Sequence, residues 1–217
     1  MTTKTAGYIR QNTLVEKAVS NWMVWVAFVA FVFSVPIYRS IYRELPDELP
    51  RIFQLKNFKM KTQYNEVFSL KNLGSRYSII HFHDFGCNGC INTLNEVKVI
   101  QKRVRGLGSN VAILSINVNP DYAKAEKLEP ISQGLKANPY VWKMLYNEDP
   151  AALKNYVNEI FQAPLNVTNK GILYPEKVYL VDKEGHVRGL YGFDKESVNR
   201  LMIDVGLLIN SAFKKKQ

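Results

Sequence analysis

Two cysteines three positions apart stand between a strand-like and a helix-like segment, and this arrangement constrains the fold more than any other feature. Ser78–Asp84 (SIIHFHD) alternates in polarity and is rich in residues that favour strands. Cys90–Arg105 has apolar residues at helical spacing. The motif Cys87-x-x-Cys90 therefore lies at a predicted helix N-terminus, where the two thiols can close a disulfide with little backbone movement.

The remaining patterns after residue 50 predict an α/β domain. Further strands are predicted at Val111–Val118, Lys177–Val181 and Val187–Tyr191, the last two forming an antiparallel hairpin around a turn. Further helices are predicted at Ala151–Phe161, after the capping pair Asp149-Pro150, and at Lys195–Phe213. Strand, helix and strand, followed by a helix, a hairpin and a last helix, is the order of a thioredoxin-like fold with a central mixed sheet flanked by helices.

The position of the motif favours redox chemistry at the first cysteine. The Cys87 thiol is expected to face the unsatisfied N–H groups and the positive end of the helix dipole, which stabilise a thiolate. In such motifs the N-terminal cysteine usually attacks and the C-terminal one resolves the mixed disulfide, so Cys87 is the predicted nucleophile and Cys90 the resolving thiol. The alternatives are two ordinary thiols or half of a metal site; the sequence has no third cysteine.

An uncharged stretch of 21 residues, Ala18–Tyr38, precedes the domain. At 1.5 Å per residue a helix of this length spans about 31 Å, close to the hydrocarbon thickness of a bilayer. No A-x-A-like cleavage site follows, so we predict an uncleaved transmembrane anchor rather than a signal peptide or a buried core helix. Flanking basic residues favour a cytoplasmic N-terminus only weakly.

The domain organisation follows from this span. We predict a short N-terminal segment at 1–17, the anchor at 18–38, a linker at 39–50, the thioredoxin-like domain at 51–213 and a basic tail at 214–217. The net charge of +10 lies mostly in the domain and suits anionic lipid or an acidic protein partner. No recognition helix or RNA-binding signature accompanies it, so nucleic acid is not an expected partner.

From about Leu49 to Ile209 the sequence resembles the SCO/SenC group of membrane-anchored thioredoxin-fold proteins. The resemblance rests on a lead-in hairpin region at Phe53–Leu70 and, in order, on SIIHFHDFGCNGC, SINVNPDYAKAEK, YVWKMLYNEDPAALKNYVNEIF and KVYLVDKEGHVRGLYG. Members of this family typically bind copper and help to load it into cytochrome c oxidase, or act as thiol–disulfide reductants for that site.

Two departures from the family pattern bear on copper. Copper-binding members have three residues between their cysteines, whereas only Asn88 and Gly89 intervene here. They also carry a histidine five positions before the aromatic that opens the YLVD-like strand, and counting back from Tyr179 this position is Tyr174. A copper ion would lose an imidazole ligand. Because the spacing is that of thioredoxins and TlpA/ResA-like reductases, we predict redox exchange without a required cofactor, with copper binding as the alternative.

Two histidines precede the motif on one strand and share a face. His81 occupies the position, six before Cys87, at which thioredoxins carry a buried acid thought to move protons, so it is a candidate proton relay. Under the copper alternative, His83 would complete a site with Cys87 and Cys90. The other interpretation is two partly buried histidines satisfied by backbone partners.

Three further residues remain to be interpreted. Pro175 precedes the strand expected opposite the motif, where thioredoxins hold a cis-proline beside the substrate, although most X-Pro bonds are trans. Asp121 matches an acidic position of the SCO-like loop, and we interpret it as a turn residue. His186 lies in the hairpin turn and is expected to be solvent-exposed.

The sequence thus predicts a membrane-anchored thiol–disulfide oxidoreductase that supports assembly of a respiratory oxidase or cytochrome. Its domain is expected on the periplasmic or mitochondrial intermembrane-space side, with a protein disulfide or a respiratory complex as partner. The alternatives are an SCO-type copper chaperone for cytochrome c oxidase, and a non-catalytic accessory subunit of a membrane complex.

Overall fold

The computed structural model describes residues 21–41, 48–74, 76–87, 91–168 and 171–214. The chain divides into two compact units, Met1–Asp47 and Glu48–Gln217, which are considered separately. In the first unit, helix α1 covers Trp22–Ile41 and contains Pro36. Its segment Trp22–Arg39 has a mean hydropathy of 1.6 and buries no residue, which makes α1 the one described helix long and apolar enough to cross a membrane.

An eight-stranded mixed sheet forms the centre of the second unit, in the order β1-β10-β9-β4-β5-β6-β2-β3. Strands β4, β5 and β6 are parallel, and every other neighbouring pair is antiparallel. A separate two-stranded sheet is formed by β7 and β8. The strands are β1 Phe53–Gln54, β2 Lys59–Thr62, β3 Val67–Ser69, β4 Tyr77–His83, β5 Val111–Asn117, β6 Trp142–Tyr146, β7 Asn166–Thr168, β8 Gly171–Leu173, β9 Val178–Val181 and β10 His186–Tyr191.

Helices cover both faces of the large sheet and give it two hydrophobic cores. One core contains residues of α2, α3 and α5, and the other contains residues of α4, its extension and the β1–β3 region. The helices are α2 Ile91–Val104, α3 Ala125–Gly134, α4 Pro150–Asn155 with a π-helical extension Tyr156–Ile160, and α5 Lys195–Lys214.

Strand β4 is the centre of this arrangement, and all seven of its residues are buried. Helices cover this strand on both faces of the sheet, which explains why it is buried along its whole length. Because β4, β5 and β6 are parallel, their starts meet at one side of the sheet, here called the amino edge, and their ends meet at the carboxyl edge. Functional residues of such sheets usually gather at the carboxyl edge.

The fold predicted from the sequence is confirmed. The four predicted strands and the β9–β10 hairpin are present, and Asp149 caps α4 by accepting a hydrogen bond of 2.9 Å from the Ala151 N–H. The differences are that no prediction covered α3, β6, β7 or β8, and that the predicted helix Ala151–Phe161 is α-helical only to Asn155.

Candidate functional site

The candidate thiol site lies at the carboxyl edge, in the loop between β4 and α2. Cys87 is partly exposed and disulfide-bonded, and its backbone N–H donates to the Asp84 carbonyl oxygen at 3.2 Å. The other cysteine of the sequence, Cys90, lies within residues 88–90, outside the described residues. The described part of α2 begins at Ile91, so the effect of the helix dipole on Cys87 stays a prediction.

The loop is held in place by the carboxylate of Asp84, which directly follows β4. Its Oδ1 accepts hydrogen bonds from the Gly86 N–H at 2.8 Å and from the side-chain amide of Asn119 at 2.7 Å. Asn119 belongs to the segment after β5, and its own Oδ1 accepts from the Asp121 N–H at 2.9 Å. Hydrogen bonds therefore join the two segments that follow β4 and β5, beside Cys87. Asp121 contributes to this junction through its backbone N–H, as expected of a turn residue.

Gly86 sits beneath this junction with no room for a side chain. A Cβ built at this position would lie 2.5 Å from Asn119 Nδ2 and 2.8 Å from Tyr122 Cε2. Real Cβ atoms do not approach other heavy atoms this closely, so a side chain at position 86 would have to displace those of Asn119 and Tyr122. Close packing of the two segments thus depends on the residue directly before Cys87.

His81 is buried inside the core below the loop and takes part in a polar chain. The Trp142 indole Nε1 donates to Ser115 Oγ at 2.7 Å, and the His81 Nε2 lies 2.5 Å from the same oxygen. Because the indole is only a donor, the geometry suits a Ser115 hydroxyl that donates its own proton to a neutral His81 Nε2. Burial, with a smaller contribution from His83, lowers the pKa of His81 to about 3.

These values bear on the predicted proton relay. That role assumes a histidine with an ordinary pKa near neutrality, whereas His81 is held neutral well below pH 6. Its known hydrogen bonds are internal, to Ser115 and, at 3.4 Å, to the Phe82 carbonyl. A role for His81 in proton transfer therefore stays a prediction and would have to use the neutral imidazole.

The side chain of His83 is more deeply buried than the sequence suggested, and one of its ring nitrogens has no hydrogen-bond partner. It is 1% exposed, and its Nδ1 has no hydrogen-bond partner. Its ring packs edge-to-face on Phe85, with 4.8 Å between ring centroids. Burial lowers the pKa of His83 to about 4, against an opposing effect of the Asp84 carboxylate. A neutral imidazole with an unpartnered buried nitrogen is a candidate metal ligand.

The segment between β8 and β9 brings Tyr174 to the same loop. Tyr174 is half-buried, and burial raises the pKa of its hydroxyl, while a hydrogen bond with the Asp84 backbone opposes that effect. The position at which the family resemblance implies a copper-binding histidine therefore lies beside the segment that leads to Cys87. No cis peptide bond occurs among the described residues, so the Tyr174–Pro175 bond is trans and the possibility of a cis-proline at this position is excluded.

His186 is not exposed as expected; its side chain is 18% exposed. Its Nδ1 lies 3.6 Å from both the Asp182 Oδ1 and the Glu184 Oε2. The three residues lie in the turn between β9 and β10. Since β9 runs antiparallel to β4, with Val181 opposite Ser78, this turn lies at the amino edge, away from Cys87.

Sequence reasoning missed four residues that shape the site: Asp84, Asn119, Ser115 and Trp142. The first two carry a signal that could have been used, because both follow directly or closely after predicted parallel strands, whose ends meet at one edge. The contact between Ser115 and Trp142 joins two neighbouring strands, and β6 itself was not predicted, so nothing in the sequence pointed to that pair.

No protein-family model and no curated protein matches the chain. Solved structures do match. An SCO1/SenC family lipoprotein from Bacillus anthracis is 21% identical with a TM-score of 0.67, over 72% of this chain and 95% of that one. BsSco, described as a member of the Sco family of cytochrome c oxidase assembly proteins, is 18% identical with a TM-score of 0.66, over 76% and 96%.

A third match is the copper-bound ScoI of Bradyrhizobium japonicum, which is 17% identical with a TM-score of 0.60, over 72% of this chain and 99% of that one. In each case nearly the whole solved domain is covered, and the uncovered part of this chain is roughly a quarter. At this level of identity the matches establish the architecture. The second unit of the chain has the thioredoxin-like fold of the SCO/SenC proteins.

Proposed function

We propose that the chain is a membrane-anchored thiol–disulfide oxidoreductase on an SCO-type scaffold, supporting the assembly of a respiratory oxidase or cytochrome. The observation that carries the proposal is the state and position of Cys87. Its sulfur is in a disulfide, its side chain is partly exposed, and it lies on a loop fixed at the carboxyl edge of the sheet. In this position the oxidised form can be attacked by a thiolate of a docking protein, and the reduced form can attack that protein's disulfide.

The reaction is a reversible two-electron exchange. In the reduced form the Cys87 thiolate attacks a partner disulfide, so that one mixed S–S bond forms and the partner's second sulfur leaves as a thiolate. Cys90 then attacks the mixed disulfide, closes the Cys87–Cys90 bond and releases the partner as a dithiol. The two electrons lost by the pair are gained by the partner, and another thiol protein must return them.

Several observations support the assembly role and the location. The fold matches proteins described as cytochrome c oxidase assembly proteins. The apolar helix α1 is long enough to anchor the domain to a membrane, and one structural match is described as a lipoprotein. A disulfide-bonded domain suits an oxidising compartment, so we propose that it lies on the periplasmic side or in the intermembrane space.

Substitution of each cysteine by serine in the full chain tests the proposal. Cys87→Ser should abolish disulfide exchange, whereas Cys90→Ser should accumulate mixed disulfides with partners, seen as adducts that a reductant dissolves. Asp121→Ala is a matched control, since it changes an exposed side chain of the neighbouring segment. The proposal is wrong if neither cysteine variant changes disulfide traffic, and a normal phenotype with both cysteines replaced by serine would support an accessory subunit instead.

The second candidate function is copper binding, and it is favoured by one observation, the buried Nδ1 of His83 without a partner. With both thiols reduced, Cys87, Cys90 and His83 form a donor set of the soft kind that Cu(I) prefers. Disulfide-bonded Cys87 cannot serve as a ligand, so this function requires the reduced protein. Stoichiometric retention of Cu(I) that is lost in Cys87→Ser, Cys90→Ser and His83→Leu would establish it.

A further inference from the structure

A basic cavity lies at the amino edge of the sheet, at the opposite ends of the strands from Cys87. Its volume is about 550 Å³. Its lining includes Arg76, Asn110 and Val141, each the residue directly before one of the parallel strands β4, β5 and β6. The seven residues of β4 place about 23 Å between the two edges. The cavity is therefore separate from the thiol site.

The cavity is lined by three cations and no carboxylate. Arg76, Arg105 and Lys136 all contribute to its wall. None of them takes part in an ion pair with another described residue, unlike Arg51 and Arg188, which are paired at 3.2 and 3.0 Å. Arg76 donates from Nη1 to the Tyr140 carbonyl at 2.6 Å, which fixes its guanidinium at the cavity wall. Three unneutralised cations around one concave site favour an anion.

The lysine of this cavity occupies an unusual backbone position. Lys136 follows α3 with a φ of 55°, in the left-handed region, and the Ala137 N–H closes the helix end on the Ser132 carbonyl at 2.9 Å. Glycine is usual at this position because it has no Cβ to strain the conformation. Lys136 nevertheless takes this conformation and contributes to the wall of the cavity.

The chain joins the domain at the same edge. Glu48, the first residue of the second unit, lines a cavity together with Tyr77, the first residue of β4. Only residues 42–47 separate Glu48 from the end of α1. The predicted anchor and this edge of the domain are therefore close in sequence.

We propose that the basic cavity at the amino edge binds the phosphate group of an anionic lipid of the membrane that holds α1. The proposal rests on the membrane anchoring proposed above, but not on the thiol chemistry. Cations near an anionic membrane surface gain attraction from its negative potential, and arginine and lysine are suited to phosphate oxygens.

The test uses the full chain in mild detergent, with native mass spectrometry to count retained lipid. The probes are phosphatidylglycerol, phosphatidylcholine and inorganic phosphate. The informative variant is Arg105→Glu with Lys136→Glu, and the matched control is Lys56→Glu with Lys154→Glu, which makes the same charge change at exposed cations outside the cavity. Arg39 of α1, which also attracts anionic lipid, is unchanged in all three proteins.

We expect the wild type and the control to retain phosphatidylglycerol over phosphatidylcholine, and the cavity variant to retain it roughly tenfold less. Hydrogen exchange of the segment 136–141 should slow in phosphatidylglycerol nanodiscs for the wild type and the control, but not for the cavity variant. Equal loss in the control variant, or equal retention in all proteins, would overturn the proposal, because the attraction would then come from overall charge. Competition by millimolar inorganic phosphate would also overturn it, since the cavity would then be a site for free phosphate.

Disulfide exchange in detergent should be the same in all three proteins, which separates this result from a failure of the thiol mechanism.

Discussion

The side-chain amide of Asn119 donates a 2.7 Å hydrogen bond to the Asp84 carboxylate, and this bond joins the segment after β5 to the loop that carries Cys87. Asn119→Ala should remove it together with the bond accepted from the Asp121 N–H. Since hydrogen bonds to charged groups contribute about 1.5–3 kcal/mol, we expect a loss of about 2 kcal/mol in the free energy of unfolding.

Amide hydrogen exchange checks this prediction locally. The Gly86 N–H, which donates to the same carboxylate, should exchange faster in Asn119→Ala than in the wild type. Asp121→Ala is the control, because the Asp121 contribution to the junction comes from its backbone. Equal protection of Gly86 in all three proteins would show that the junction does not restrain the loop.

The buried chain from Trp142 through Ser115 to His81 predicts a large effect of one small substitution. Ser115→Ala leaves the indole N–H and the His81 Nε2 without partners. Each unsatisfied buried group costs about 1–3 kcal/mol, so the free energy of unfolding should fall by about 2–6 kcal/mol. Chemical denaturation of the full chain in detergent, followed by far-UV circular dichroism, measures this loss.

Ser78 provides a matched control on the adjacent strand. Its hydroxyl is fully buried and has no hydrogen-bond partner, so Ser78→Ala removes an unsatisfied group and should leave stability unchanged or slightly higher. Similar losses for Ser78→Ala and Ser115→Ala would mean that volume, rather than hydrogen bonding, decides the stability of both sites.

The two buried histidines predict that stability falls as the pH is lowered. In the folded protein burial lowers the pKa of His81 to about 3 and that of His83 to about 4, whereas both are near 6.5 when unfolded. The unfolded chain therefore binds more protons below pH 6.5, and stability present at pH 7 is lost as the pH falls below that value. At pH 5 the expected loss is about 2 kcal/mol per histidine.

Unfolding free energies at pH 7 and pH 5 check this dependence. His83→Leu removes one of the two groups and should reduce the difference between the two pH values to about half. A difference as large as in the wild type would assign the effect to other groups.

The position of Tyr174 predicts a gain of copper affinity. Because the structure brings this residue to the Asp84 backbone, beside the loop of Cys87, an imidazole at position 174 would join the donor set of the reduced thiols. Tyr174→His should therefore bind Cu(I) roughly tenfold or more tightly than the wild type, with reduced Cys87 and Cys90 required. A competition titration with a coloured Cu(I) chelator measures the difference.

Tyr174→Phe is the control for this substitution. It keeps the ring that packs on the core and removes only the hydroxyl. If the phenylalanine and histidine variants bind copper equally, position 174 does not face the thiols.

The central part of the fold was accessible to sequence reasoning because its elements are long and periodic. Strand β4 and helix α5 have seven and twenty residues with clear patterns, and the hairpin between β9 and β10 is marked by a turn with Gly185. The peripheral strands have two to four residues, too few to establish an alternating pattern, and α3 has Pro130 inside it, which is unusual for a helix interior.

The site was only partly accessible. The thiols could be identified from their spacing, since the motif is local in sequence. The contacts of Asp84 with Asn119, and of Ser115 with Trp142, join residues 35 and 27 positions apart and depend on the strand order. The deep burial of His83 likewise comes from helices that cover β4, which sequence patterns place only approximately.

The absence of space at Gly86 has a consequence for how this protein can change over evolution. Any side chain at position 86 would collide with the amide of Asn119 and the ring of Tyr122. The three positions therefore form one steric unit, and relatives that carry a larger residue before the first cysteine should have smaller residues at the other two. Among single substitutions at these three positions, those at 86 should be tolerated least. A larger residue at 86 should be accommodated only after Asn119 or Tyr122 has been replaced by a smaller residue.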